Sequence, residues 1–183
     1  SNHMPITKTP LKKFLEIPYD ELERMNLQAK TRRDTMSPKE QEKIYRQYLT
    51  KEKAMKAVTL CFSDIEGRFH MLDYDKKFLL NSADNLTFDG SSIRGFTAQS
   101  ESDLRFSIDW SSILWLPADV FGPGKVIMFA NIMSRERGQY ESDFRGLLQE
   151  YTKELIAKQV LTAYAAAEIE GFVFDGIVAE QTY

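Results

Sequence analysis

Around Lys56 the apolar pattern of this chain changes period, from a helical one to an alternating one. Side chains on a helix return to the same face every three or four residues, whereas in a strand they do so every second residue. The first part can therefore bury its apolar side chains only as helices, and the part that follows must build a sheet. Residues 10–56 carry helical signals and little else. Ser37-Pro38-Lys39-Glu40 supplies a serine N-cap, a proline in the first turn and a glutamate placed to complete a capping box. Beyond it Ile44, Tyr48, Met55 and Val58 fall on one helical stripe, and an earlier helix is expected over residues 20–30. The short basic tract of Lys30, Arg32 and Arg33 sits beside acids and reads as a solvated helix end. With their other faces polar, these helices must pack on something else or extend an oligomer surface.

After Lys56, residues 58–62 alternate, with Val58, Leu60 and Phe62 on one face. Ser63-Asp64-Ile65-Glu66-Gly67 reads as a turn and residues 68–74 as the return strand of a hairpin. A short helix is expected over 76–81 and a loop over 85–98, which is rich in Gly and Ser and lacks periodicity. Residues 104–109 alternate as a half-buried strand, 117–124 form a turn, and the almost continuous apolar run 126–133 suits a central strand. Ser142 is placed to cap a helix whose stripe is Phe144, Leu147, Leu148, Tyr151 and Leu155. Residues 162–175 read as a final long strand. The order implies an α+β fold: a small α+β domain joined to the first elements of a larger one.

Bulk properties exclude several classes of function. The 183 residues carry a formal charge of -3, so no strong field of either sign points to nucleic acid or an anionic membrane. No apolar run approaches the ~20 residues of a membrane helix, and no signal-peptide pattern opens the chain. One cysteine, Cys61, rules out an internal disulfide and fits a reducing, cytoplasmic setting. It lies in the apolar run 58–62 and reads as a packed core thiol rather than a nucleophile. Ser1-Asn2-His3-Met4 reads as a tag remnant, which leaves His70 as the native histidine. With no partner set in view, His70 is expected to be structural.

Two segments carry chemistry. In Phe88-Asp89-Gly90-Ser91-Ser92-Ile93-Arg94-Gly95-Phe96, followed by Glu101-Ser102-Asp103, the glycines permit tight turns and the serines can donate or accept hydrogen bonds. The pattern admits an Asp89 presented to a cationic or proton-giving ligand. It equally admits an Asx-turn in which Asp89 bonds its own loop, and by itself it favours the turn. In Ala166-Ala167-Glu168-Ile169-Glu170-Gly171-Phe172-Val173-Phe174, a strand would set Glu168 and Glu170 on one face with Cα atoms about 6.8 Å apart. Two adjacent carboxylates repel and ask for a counter-charge. Divalent ions, a salt-bridged pair or simple solvation each answer that demand, and the pattern does not choose among them.

Taken in order, these segments resemble glutamine synthetase. F-D-G-S-S-I-R-G-F at 88–96 is specific to that family. E-S-D at 101–103, the hairpin segment 62–68, the segment 140–146 and E-x-E at 168–170 with Phe172 and Phe174 follow its pattern. The similarity covers roughly residues 56–176, and departs from the family at Ala166-Ala167 and at Gly171. Residues 1–55, the tag remnant and a helical N-terminal extension, lie outside it, and the resemblance implies a β-grasp domain at 56–138 and the first helix and strand of a truncated catalytic domain at 139–183. It also implies ATP-dependent ligation of ammonia to glutamate through a γ-glutamyl phosphate, with two Mg²⁺ or Mn²⁺ ions, in a homo-oligomeric ring whose active sites lie between subunits. By the same resemblance Asp89, with Ser92 beside it, would bind and deprotonate ammonium at the neighbour's site. Glu168 and Glu170 would each ligate a different metal ion. The remaining ligands would lie downstream of Tyr183, so this chain alone is expected to be inactive. The alternatives are a sibling ligase joining glutamate to a polyamine or other amine, and a non-catalytic interaction or regulatory module. In a truncated chain, 162–174 would lack sheet partners and be disordered, swapped or associating.

Overall fold

The computed structural model describes residues 17–53, 55–93, 103–134, 138, 140–158 and 162–176. Two helices come first, α1 (Tyr19–Thr35) and α2 (Pro38–Lys51). The Ser37 hydroxyl accepts from the Glu40 amide while the Glu40 carboxylate accepts from the Ser37 amide, so the capping box forms as read. Helix α2 ends at Lys51. Met55 and Val58 therefore leave the expected helical stripe, and the face it buries is Gln41, Tyr45 and Leu49.

The sheet begins with the expected hairpin, β1 (Ala57–Ser63) and β2 (Phe69–Asp75), followed by α3 (Lys76–Ser82). Next come β3 (Leu86–Asp89), β4 (Asp103–Ile108), β5 (Leu114–Trp115), the single-turn helix α4 (Ala118–Phe121), β6 (Val126–Met133) and α5 (Phe144–Ala157). The main path runs β2-β1-β6-β4-β3, with β5 on the first residues of β6. Every pairing is antiparallel except β1 with β6, where Leu60 faces Met128 and Cys61 faces Phe129. Val58, Leu60, Phe62, Leu104, Phe106, Met128, Ala130 and Ile132 form one core with Leu22, Met25, Ala29, Tyr45 and Leu49. The N-terminal helices thus cover one face of the sheet, and their polar sides face solvent. Strand β1 lies between two others and is buried on both faces over 58–62, not on the alternating face alone.

Five further expectations are corrected. Leu86–Asp89, read as loop, is an edge strand; it is too short to show a period and is set by its pairing with β4. The turn at 117–124 contains the helical turn α4, closed by Gly122 at φ 86°. The N-cap of α5 is Asp143, not Ser142, and its carboxylate accepts from the Ile132 amide at 2.9 Å. The apolar stripe of α5 does not face the sheet: Phe144, Leu147, Leu148 and Tyr151 are exposed, and Gly146 is the helix residue that is buried. Finally, residues 162–176 form no strand and are exposed throughout, because no neighbouring strand receives their backbone. No helix among the described residues is long and apolar enough to cross a membrane.

Candidate functional site

Strand β3 ends at Asp89, on the edge of the sheet, with Asp103 opposite it in register. The chain then turns through a 3-10 helix, Gly90–Ser92, for which Asp89 is the N-cap. Asp89 Oδ1 accepts from the Ser91 amide at 2.9 Å and from the Ser91 hydroxyl at 2.6 Å. The Asx-turn reading is therefore built. It does not bury the carboxylate: Asp89 is exposed, and among the described residues its hydrogen bonds all fall on Oδ1. The Ser91 hydroxyl and then the Ser91 amide hold the carboxyl below the usual carboxylate range, which keeps it ionised at neutral pH. The Ser92 side chain, residues 94–100 and Glu101-Ser102 lie outside the described residues.

Glu168 and Glu170 lie in the exposed segment 162–176, with Ile169 fully exposed between them. Without the expected strand, nothing fixes the two carboxylates on one face. No hydrogen bond or ion pair among the described residues joins them to Asp89. Among those residues, too, no three His, Cys, Asp or Glu side chains gather as a metal ion would require. Their oxygen donors suit Mg²⁺ or Mn²⁺ in kind, and two carboxylates are a partial set that other groups and substrate phosphates would complete.

Cys61 is packed in the core, as expected, while His70, expected to lack a partner set, has Asp64 as its partner. His70 Nε2 lies 2.8 Å from the Asp64 carboxylate and its ring stacks on Phe62. Burial pushes the Cys61 thiol up to about 11.

One constellation has no local signal in the sequence. On the sheet face away from α1 and α2, Arg145 donates to Asp109 at 2.7 Å and to Asn131 at 2.8 Å, and its guanidinium lies over the Phe129 ring. Gln149 bonds both Asn131 and Asp109. Burial works to raise the Asp109 carboxyl, but the Ser111 hydroxyl and Arg145 together hold it below the usual range. Helix α5 is thus docked by a polar cluster.

The family model "Glutamine synthetase, beta-Grasp domain" matches residues 54–135. The glutamine synthetase of Archaeoglobus fulgidus is 30% identical over 132 residues, covering 69% of this chain and 27% of that protein. That of Rhizobium meliloti is 31% identical over 131 residues, covering 69% and 28%. The cryo-electron microscopy structure of Plasmodium falciparum glutamine synthetase superposes with a TM-score of 0.55 at 19% identity, over 62% of this chain and 22% of that one, a likeness of fold. The chain spans little more than a quarter of the length of these two curated relatives.

Proposed function

The β-grasp domain at residues 54–135 places this chain in the glutamine synthetase family, and we propose that it serves the ATP-dependent ligation of ammonia to glutamate. The observation that carries the reading is the Asp89 carboxyl standing exposed at the end of an edge strand, inside the motif that resembles the family's. A carboxylate so placed attracts NH₄⁺ and can accept one of its protons, leaving neutral ammonia as the nucleophile. Its exposure suits service to an adjoining subunit in a ring. The Asx-turn fixes Oδ1 and orients the carboxyl, with Ser92 next to the turn.

Glu168 and Glu170 are proposed to hold one Mg²⁺ or Mn²⁺ ion each. Bound there, the ions would neutralise phosphate oxygens. The two glutamates offer oxygen ligands and require a surrounding sheet to share one face. Residues 1–183 by themselves are therefore expected to give no turnover, and a cytoplasmic setting is proposed on the single cysteine, which fits a reducing compartment.

The test is phosphate release by the protein extended to the full length of its relatives, given glutamate, ATP, Mg²⁺ and ammonium, with methylamine and a polyamine as competing acceptors. Ammonium-dependent release, cut by roughly tenfold or more and shifted to higher ammonium KM by Asp89→Asn, is the expected result. Turnover with a larger amine alone would move the reading to the sibling ligase, and release indifferent to Asp89 would remove its role.

A further inference from the structure

The end of α2, Lys53, Met55 and Lys56 just before β1, and α3 line a half-open cavity of about 720 Å³, in the size range of small-molecule sites. It shares no residue with the Asp89 turn or the 168–170 pair. Four lysines line it: Lys53, Lys56, Lys76 and Lys77. Met55 and Leu80 supply apolar lining. Lys76 is only 7% exposed, an unusual place for an ammonium group. Its Nζ donates to the Glu52 carbonyl oxygen, a neutral acceptor, so that bond uses one of three donors and cancels no charge. Burial, then the neighbouring Lys56 ammonium, pull the Lys76 amine below the usual lysine range.

The carboxylates that act on Lys76 are those of Glu52 and Asp75, and they face four ammonium groups. Asp75 is already engaged as the N-cap of α3, accepting from the Phe78 amide at 2.9 Å. Lys53, Lys56 and Lys77 are exposed and make no ion pair among the described residues. Like charges spread apart on an open surface; here they line a concavity with an apolar wall, which focuses their field. Charge excess, a buried donor with spare hydrogens and a half-open concave volume are the features an anion site requires.

We propose that this cavity binds a small polyanion, bearing either phosphate or clustered carboxylate groups, held between Lys76 at the base and Lys53, Lys56 and Lys77 at the rim. Its occupation would tie the α2–β1 connection to α3, two elements that bracket the hairpin.

The experiment is calorimetric titration of the 183-residue chain with pyrophosphate and, separately, with citrate, at constant ionic strength set by sodium chloride. Saturable one-site binding of at least one probe is expected, with a rise in thermal midpoint. The triple variant Lys53→Gln, Lys56→Gln, Lys77→Gln changes exposed side chains only and should fold as the parent does. It is expected to bind about tenfold or more weakly and to lose the thermal shift. A response to pyrophosphate alone identifies a phosphate ligand, and one to citrate alone a polycarboxylate. Heats that never saturate with either probe, or equal affinity in the triple variant, would overturn the assignment.

Discussion

His70 and Asp64 close the β1–β2 hairpin from inside, the imidazole Nε2 standing 2.8 Å from a carboxylate that is almost wholly buried. The other carboxylate oxygen of Asp64 accepts from the Glu66 amide at 2.9 Å and the Arg68 amide at 3.0 Å. One side chain thus fixes the turn backbone and the returning strand together. The His70 contact, followed by these amides, holds the Asp64 carboxyl below the usual range. A folded-state value below the unfolded one contributes stability that is present above the unfolded pKa, near 3.9, and lost as pH falls through the folded value. Asp64→Ala should lower the urea midpoint at pH 7 and flatten the acid limb below about pH 4. An acid limb with unchanged slope would show that another carboxylate governs it.

The capping box gives a second expectation. Ser37→Ala removes the acceptor of the Glu40 amide and one partner of the Glu40 carboxylate. Loss of such a cap costs about 1 kcal/mol, measurable as a lower denaturation midpoint with unchanged m-value. A shift of similar size on Glu40→Ala, and a double variant less damaged than the sum of the two, would show that the pair acts as one unit.

Helix α5 should loosen when its polar dock is cut. Arg145→Met keeps the bulk of the side chain and removes the hydrogen bonds to Asp109 and Asn131. Hydrogen bonds to charged partners contribute about 1.5–3 kcal/mol each, and the exposed apolar stripe of α5 offers no replacement. Hydrogen exchange should quicken at the amides of α5 while those of β1 and β6 keep their protection. Equal loss across the sheet would mean that the cluster supports the core rather than the helix.

Cys61 is expected to resist thiol reagents. Its side chain is buried and its thiol is pushed up to about 11 by burial, so little thiolate exists at neutral pH. Modification by a disulfide reagent at pH 7.5 should proceed at the rate of global opening and become fast only in denaturant. Rapid labelling of the native chain would place the thiol outside the core.

Which of these features the sequence discloses follows from the range of the interactions that make them. The capping box at Ser37 and the turn at 63–67 rest on neighbours a few residues apart, so both are visible in the string of residues. The run 126–133 is apolar enough to announce a central strand by itself. The Asx-turn at Asp89 was legible from Asp-Gly-Ser-Ser, since its partner is two residues away. Strand β3 was not, because four residues show no period and its definition comes from β4. The stripe on α5 was read correctly as a stripe, but a period says nothing about what lies opposite it, and here solvent does. Residues 162–175 read as a strand, yet a strand without a neighbour has nowhere to place its hydrogen bonds. Asp109 and Arg145 meet only after the sheet has formed. The Asp89 role rests on the family motif, because its turn geometry would be the same in a protein with no catalytic use for it.

The parallel contact of β1 with β6 has a consequence for synthesis on the ribosome. The hairpin can zip as soon as residue 75 has emerged, but the other edge of β1 stays bare until residue 129 follows. The nascent chain thus carries an unpaired, strongly apolar rim through a long stretch of translation, closed only by a contact of high sequence separation. During that interval the α1–α2 pair, which is made first, can shelter only the face of Val58, Leu60 and Phe62, and Cys61 on the opposite face waits for β6 and α5.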